Sequence, residues 1–191
     1  MNPYNWRGDY GNSNWGLRHR FIASFNYELP FLKSAGNPFV RQAFAGWQTN
    51  GIVNLQSGFP FNVTIPGDTA NTGVGSQRPN LVSPPSNNCG NGRLTNCIDP
   101  AAFALPAAYT YGNAGRNLLY GPELYNIDFS ALKNFPIKEV ANLQFRAELF
   151  NLFNTPAFSN PNATYTNSNF GSITSTKHDN REIQFALKLL F

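Results

Sequence analysis

His19 and His178 are the only histidines in the chain. Acyl transfer needs a nucleophile, an imidazole base and an orienting polar group within hydrogen-bond reach of one another. His19 stands between Arg18 and Arg20, and with Ser24 it forms no recognisable version of that arrangement. His178-Asp179 reads as a loop pair rather than a general base. Asp68, Asp99 and Glu123 offer the oxygen ligands that calcium favours. They follow no twelve-residue calcium-loop pattern, so solvated loop carboxylates are the plainer reading. Gly112-Asn-Ala-Gly-Arg116 is glycine-rich, but it follows no buried parallel strand and opens no helix, so a phosphate loop fails on context. Cys89 and Cys97 lie eight positions apart in a Gly/Asn-rich stretch. A disulfide in an oxidising compartment fits them better than zinc, which two thiols without a nearby histidine hold poorly. No catalytic group, cofactor or metal site is expected, and the chain is read as no enzyme.

The elements that carry these residues are strands. The chain has 191 residues, enough for one good domain. Charged residues make up only 13% and aromatics 15%, with 17 Phe. Such low charge argues against an ordinary soluble surface. Net charge is +4, but the basic residues are scattered and form no nucleic-acid footprint. No apolar run approaches the roughly 18 residues of a membrane helix, and the first residues do not read as a signal peptide.

Period-two alternation marks five strands, at about 17–29, 45–57, 124–132, 141–154 and 181–191. The last is the clearest: Ile183, Phe185, Leu187, Leu189 and Phe191 alternate with Glu182, Gln184, Ala186, Lys188 and Leu190. Residues 58–123 form one long connection that holds most of the prolines and both cysteines. Its apolar patches suggest local hairpins rather than disorder. Residues 155–179 form a second long loop.

Three features favour a membrane wall. The apolar faces of all five predicted strands carry no Lys, Arg, Asp or Glu, and a basic charge facing lipid at mid-depth costs about 2–4 kcal/mol. The predicted strands run about nine to thirteen residues, where a tilted membrane strand needs roughly 9–11 and ordinary strands average about five or six. Shorter turns, at 30–44 and 133–140, alternate with the long loops 58–123 and 155–179, as short periplasmic turns alternate with long outside loops. With Phe191 at the periplasmic rim, both long loops fall outside. The expected fold is all-β: an antiparallel transmembrane β-barrel segment of about five long strands and two long extracellular loops. Five strands fall short of the about eight in the smallest such barrels, so the barrel is incomplete. Inward-facing candidates are Arg18, Arg20, Glu28, Asp128, Arg146, Glu148 and Lys188, read mainly as a wet wall with interstrand salt bridges. A soluble β-sandwich, such as a carbohydrate-binding or adhesin module, would use the same alternation and bury the apolar face.

Several stretches resemble the C-terminal part of TonB-dependent outer-membrane receptors, in the Oar-like group that carries a carboxypeptidase-regulatory-like N-terminal domain. They are Arg18-His-Arg-Phe-Ile-Ala-Ser-Phe-Asn-Tyr-Glu-Leu-Pro30, Gly46-Trp-Gln48 through Ser57-Gly-Phe-Pro-Phe61, and Gly112-Asn-Ala-Gly-Arg-Asn-Leu-Leu-Tyr-Gly-Pro122. Asn126-Ile-Asp-Phe-Ser130, Lys133-Asn-Phe135 and Phe145-Arg-Ala-Glu-Leu-Phe-Asn-Leu-Phe-Asn154 complete the set. The resemblance implies a plugged barrel of about 22 strands in the outer membrane of a Gram-negative-type bacterium. It implies that Phe185, Leu187, Leu189 and Phe191 form the signal read by the barrel-assembly machinery. Outer-membrane lipid and the missing N-terminal strands and plug are implied partners, with TonB reached only through that plug. The chain is then expected to be a fragment that does not transport alone, with Met1 an internal methionine of a longer frame.

Overall fold

The computed structural model describes residues 2, 4–31, 36–86, 88–89, 92–137 and 140–191. Met1 and parts of the two shorter turns, 32–35 and 138–139, lie outside the described residues. In chain order the strands are β1 (Arg20–Glu28), β2 (Trp47–Gln56), β3 (Pro60–Phe61), β4 (Asn80–Leu81), β5 (Phe103–Ala104), β6 (Leu119–Tyr120), β7 (Leu124–Ile137), β8 (Ala141–Phe150) and β9 (Glu182–Leu190). One short helix, α1 (Pro38–Phe44), lies between β1 and β2. The first turn is a good helix start. Asn37 caps it, its side chain accepting from the N–H groups of Phe39 and Val40, and Pro38 needs no donor there.

The chain divides into two units. One comprises residues 21–55, 125–156 and 179–191 and contains the long strands. They form one open antiparallel sheet in the order β1-β2-β7-β8-β9. Register explains why its faces differ. Leu143 pairs with Leu189, Phe145 with Leu187, Ala147 with Phe185 and Leu149 with Ile183, while Gln144 meets Lys188 and Glu148 meets Gln184. On the other side of β8, Phe129 meets Leu149 and Phe135 meets Leu143. The Leu29 N–H bonds to the Trp47 carbonyl, which aligns Phe25 with Gly51. A Cβ at Gly51 would fall 2.3 Å from the Phe25 ring, so the missing side chain leaves room for that ring. Aromatic rings link strands on the apolar side: Trp47 meets Phe145 edge-on at 6.0 Å, and Phe145 stacks with Phe185 at 6.2 Å.

Two expected boundaries need correction. The third long strand does not stop at Leu132. Pairing with β8 continues from Lys133–Phe145 to Ile137–Ala141, and Pro136 is tolerated close to the strand end. Lys133 therefore falls on the apolar face, which is not free of charge. The lysine is 3% exposed. Its ammonium donates to the Ala45 carbonyl and lies 5.1 Å from the Phe135 ring centre. The fourth long strand ends at Phe150 rather than Asn154. Asn151 and Asn154 adopt left-handed backbone angles, φ 50° and 53°, and the Asn151 amide bonds both the N–H and the carbonyl of Thr155.

The second unit comprises residues 1–20, 56–124 and 157–178. The long connection 58–123 is folded here, not open. Phe61, Val63, Ile98, Ala102, Phe103, Leu119 and Phe170 form a core, with Leu81, Ala163 and Tyr165 packed against it. Pairing of β3 with β6 and of β4 with β5 fastens the first long loop to itself. The second long loop joins through Thr64 N–H to Ala163 O (2.9 Å), Cys97 N–H to Gly171 O (2.9 Å) and Ile173 N–H to Leu94 O (2.7 Å). The N-terminal segment joins through the Arg78–Asp9 ion pair at 2.6 Å. Buried Asn117 adds amide bonds to Asn12 O (2.6 Å) and Asn14 Oδ1 (2.7 Å).

Candidate functional site

The sheet offers two surfaces of opposite chemistry. On the apolar side, Phe185 and Leu187 are 69% and 70% exposed. The soluble sandwich predicts those side chains inside a central core, and the open sheet overturns it. Side chains this apolar and this exposed match a hydrocarbon solvent rather than water.

The opposite face carries a polar network. Gln48 Nε2 donates to Glu28 Oε1 at 3.0 Å, Asn50 Nδ2 to Ser130 Oγ at 3.3 Å and Gln144 Nε2 to Asn134 Oδ1 at 3.0 Å. Asp128 accepts from the Asn126 amide (3.1 Å) and the Asn151 N–H (2.9 Å). Arg146 and Glu148 approach to 3.5 Å with both side chains partly open, a geometry that adds little stability in water. Asn50, Asp128, Ser130 and Glu148 line a shallow pocket together with Gly51, Ile52, Phe129 and Phe150. Such a surface hydrates readily and presents both donors and acceptors.

The inward candidates separate. Glu28, Asp128, Arg146, Glu148 and Lys188 occupy this polar side, and Arg20 opens β1 at a polar-side position. Arg18 does not belong with them. It precedes β1, and its guanidinium lies 4.0 Å above the Tyr120 ring, a cation–π contact within the loop body. Its backbone N–H is held by Ser57 Oγ at 3.1 Å, which places Arg18 in the loop structure before the alternation begins. Of the four C-terminal signal candidates, Phe185, Leu187 and Leu189 lie on the apolar side of β9, and Phe191 follows the strand end at Leu190.

Cys89 is half-buried and Cys97 buried. Burial first, then the hydrogen bond with Cys97, push the Cys89 thiol up. Asp68 is a structural carboxylate. It accepts from the Gly73 N–H, the Thr72 hydroxyl (3.2 Å) and Gln77 Nε2 (2.6 Å). Hydrogen bonding around Thr72 is the largest influence on its pKa, which lies below the ordinary value. Among the described residues, no group of three or more His, Cys, Asp or Glu side chains is arranged to hold a metal ion.

Sequence reasoning missed Lys133 and Asn117. Lys133 was detectable, because the alternation runs on through Phe135 and Ile137. Asn117 had no local signal, since its partners lie more than fifty positions away in sequence.

A family model described as an outer membrane beta barrel domain matches residues 1–184. No curated protein and no solved structure matches the chain. The match takes in the two long loops, β1, β2, β7, β8 and the first residues of β9, so the chain belongs to the outer membrane beta barrel domain family and resides in the outer membrane.

Proposed function

We propose that the chain is part of the barrel wall of a TonB-dependent transport receptor. The observation that carries this reading is the sheet itself: long antiparallel strands, an exposed apolar face and a hydrogen-bonded polar face. A bulky solute passing through such a barrel would meet the Asn, Gln and carboxylate side, while lipid would meet Phe, Leu and Ile. The TonB-dependent part of the reading is supported by the motifs from Arg18 to Asn154 and by the length of the outer loops. In this reading β1 and β9 pair with further strands, the C-terminal apolar positions are read by the barrel-assembly machinery, and a plug domain contacts TonB. The segment has no catalytic role and does not transport alone.

The test is the genomic frame upstream of Met1, followed by uptake measurements on the complete product. An in-frame plug domain and uptake that collapses when the inner-membrane energy supply is removed support the proposal. A complete short barrel gene with no plug, or uptake indifferent to that energy supply, overturns it while leaving the outer-membrane barrel intact.

A further inference from the structure

We propose that Cys89 and Cys97 are joined by a disulfide in the outer-membrane protein, as a staple that secures the junction of the two long loops. Three observations converge on the pair. The Asn88 N–H donates to the Cys97 carbonyl at 2.9 Å, so the chain entering Cys89 runs beside the chain at Cys97. Cys89 follows Asn88 directly in the chain and is itself half-buried. Cys97 is 1% exposed and held on two further sides: its N–H bonds to Gly171 O at 2.9 Å, and its Sγ to Arg93 O at 3.5 Å. Among the described residues no third ligand is arranged with them, and two positioned thiols suit a covalent bond better than a metal ion.

The compartment permits the reaction, because an outer-membrane loop lies outside the reducing cytosol. The oxidant required is a disulfide-bearing thiol oxidase. The half-buried Cys89, as thiolate, attacks one sulfur of that disulfide and expels the other as a thiolate. Cys97, as thiolate, then attacks Cys89 Sγ in the mixed disulfide and releases the oxidant's second thiolate. Two S–H bonds are lost and one S–S bond forms. The two protons end on the oxidant's thiolates, and its disulfide is reduced to a dithiol. Burial raises the Cys89 thiol pKa, so the folded loop presents little thiolate at neutral pH.

The ring from 89 to 97 contains Leu94, whose carbonyl accepts from Ile173. Closing it holds both contacts to the second long loop, at Gly171 and at Ile173, on one covalent frame.

The experiment is peptide mapping of the full protein taken from the outer membrane, with free thiols blocked by iodoacetamide in denaturant before any reductant is added. Arg93 is the only Lys or Arg between the two cysteines, so trypsin separates them onto different peptides. The expected result is one cross-linked pair of peptides from a single chain, with neither cysteine alkylated until reductant is added. In Cys89→Ser protein, Cys97 becomes alkylatable without reductant. Full alkylation of both cysteines before reduction overturns the proposal, as does a bond from either cysteine to another copy of the chain.

Discussion

Leu187→Lys separates a membrane wall from a water-exposed sheet. Leu187 is 70% exposed, pairs with Phe145 and lies near the middle of β9. At a water-exposed site the same change falls within about 0.5 kcal/mol of neutral. Facing hydrocarbon near mid-depth it costs about 2–4 kcal/mol, roughly thirty- to seven-hundred-fold in the folding equilibrium by the rule of about 1.4 kcal/mol per tenfold. Two companions isolate that contribution. Leu187→Ala measures the lost contact with Phe145 without adding charge. Gln184→Lys puts the same ammonium on the polar side, opposite Glu148, and should be neutral or slightly stabilising. The assay is refolding of the complete barrel into bilayers during a urea titration, read by heat-modifiable mobility, so that the assembly machinery plays no part. A Leu187→Lys protein as stable as the Gln184→Lys protein refutes the assignment of this face to lipid.

Three further predictions concern the loop body. A Cβ at Gly58 would lie 1.7 Å from the Gly121 carbonyl oxygen, whereas one at Gly75 meets nothing within 4 Å. Gly58→Ala should therefore cost about 1–3 kcal/mol and Gly75→Ala should not, measured as urea midpoints for protease protection of the loops. Asn117 has φ 52° and two buried amide bonds, so Asn117→Gly should lose about 1–3 kcal/mol. Asn117→Ala should lose about 1 kcal/mol more, and equal losses for the two would remove backbone strain from the account. The Asp68 pKa is depressed in the folded state, so its contribution is present above the ordinary value of 3.8 and lost as pH falls through the folded value. Amide exchange at Ala70 and Gly73 should accelerate in that acidic window, and Asp68→Asn protein should show a flatter pH response.

The sheet was legible because lipid and water select opposite side chains at every second position. Leu143 to Leu149 and Ile183 to Leu189 show that selection without interruption. It failed where one residue satisfied neither solvent. Lys133 and Pro136 looked like the start of a turn, yet tertiary partners, the Ala45 carbonyl and nearby aromatic rings, keep the lysine in the strand. The loop core was beyond local reading. Phe61, Ile98, Phe103, Leu119 and Phe170 have no common period, because no regular element presents them to one another. The same non-locality hid the role of Arg18, whose ring partner is Tyr120.

The loop core draws on chain pieces separated by sheet strands: Phe61 to Leu119 come from one, Phe170 from another. That arrangement orders events in time. Phe170 and Ile173 lie beyond β7 and β8 in the chain, so the earlier loop residues have an incomplete core until that last piece docks. Long-range closure of this kind is slow. The sheet can begin pairing β7 with β8, its neighbour in sequence, while the two long loops close only across most of the chain. Completion of the loop body is thus a late step of maturation, and a chain stalled before it would expose Phe61, Ile98 and Phe103 to proteolysis.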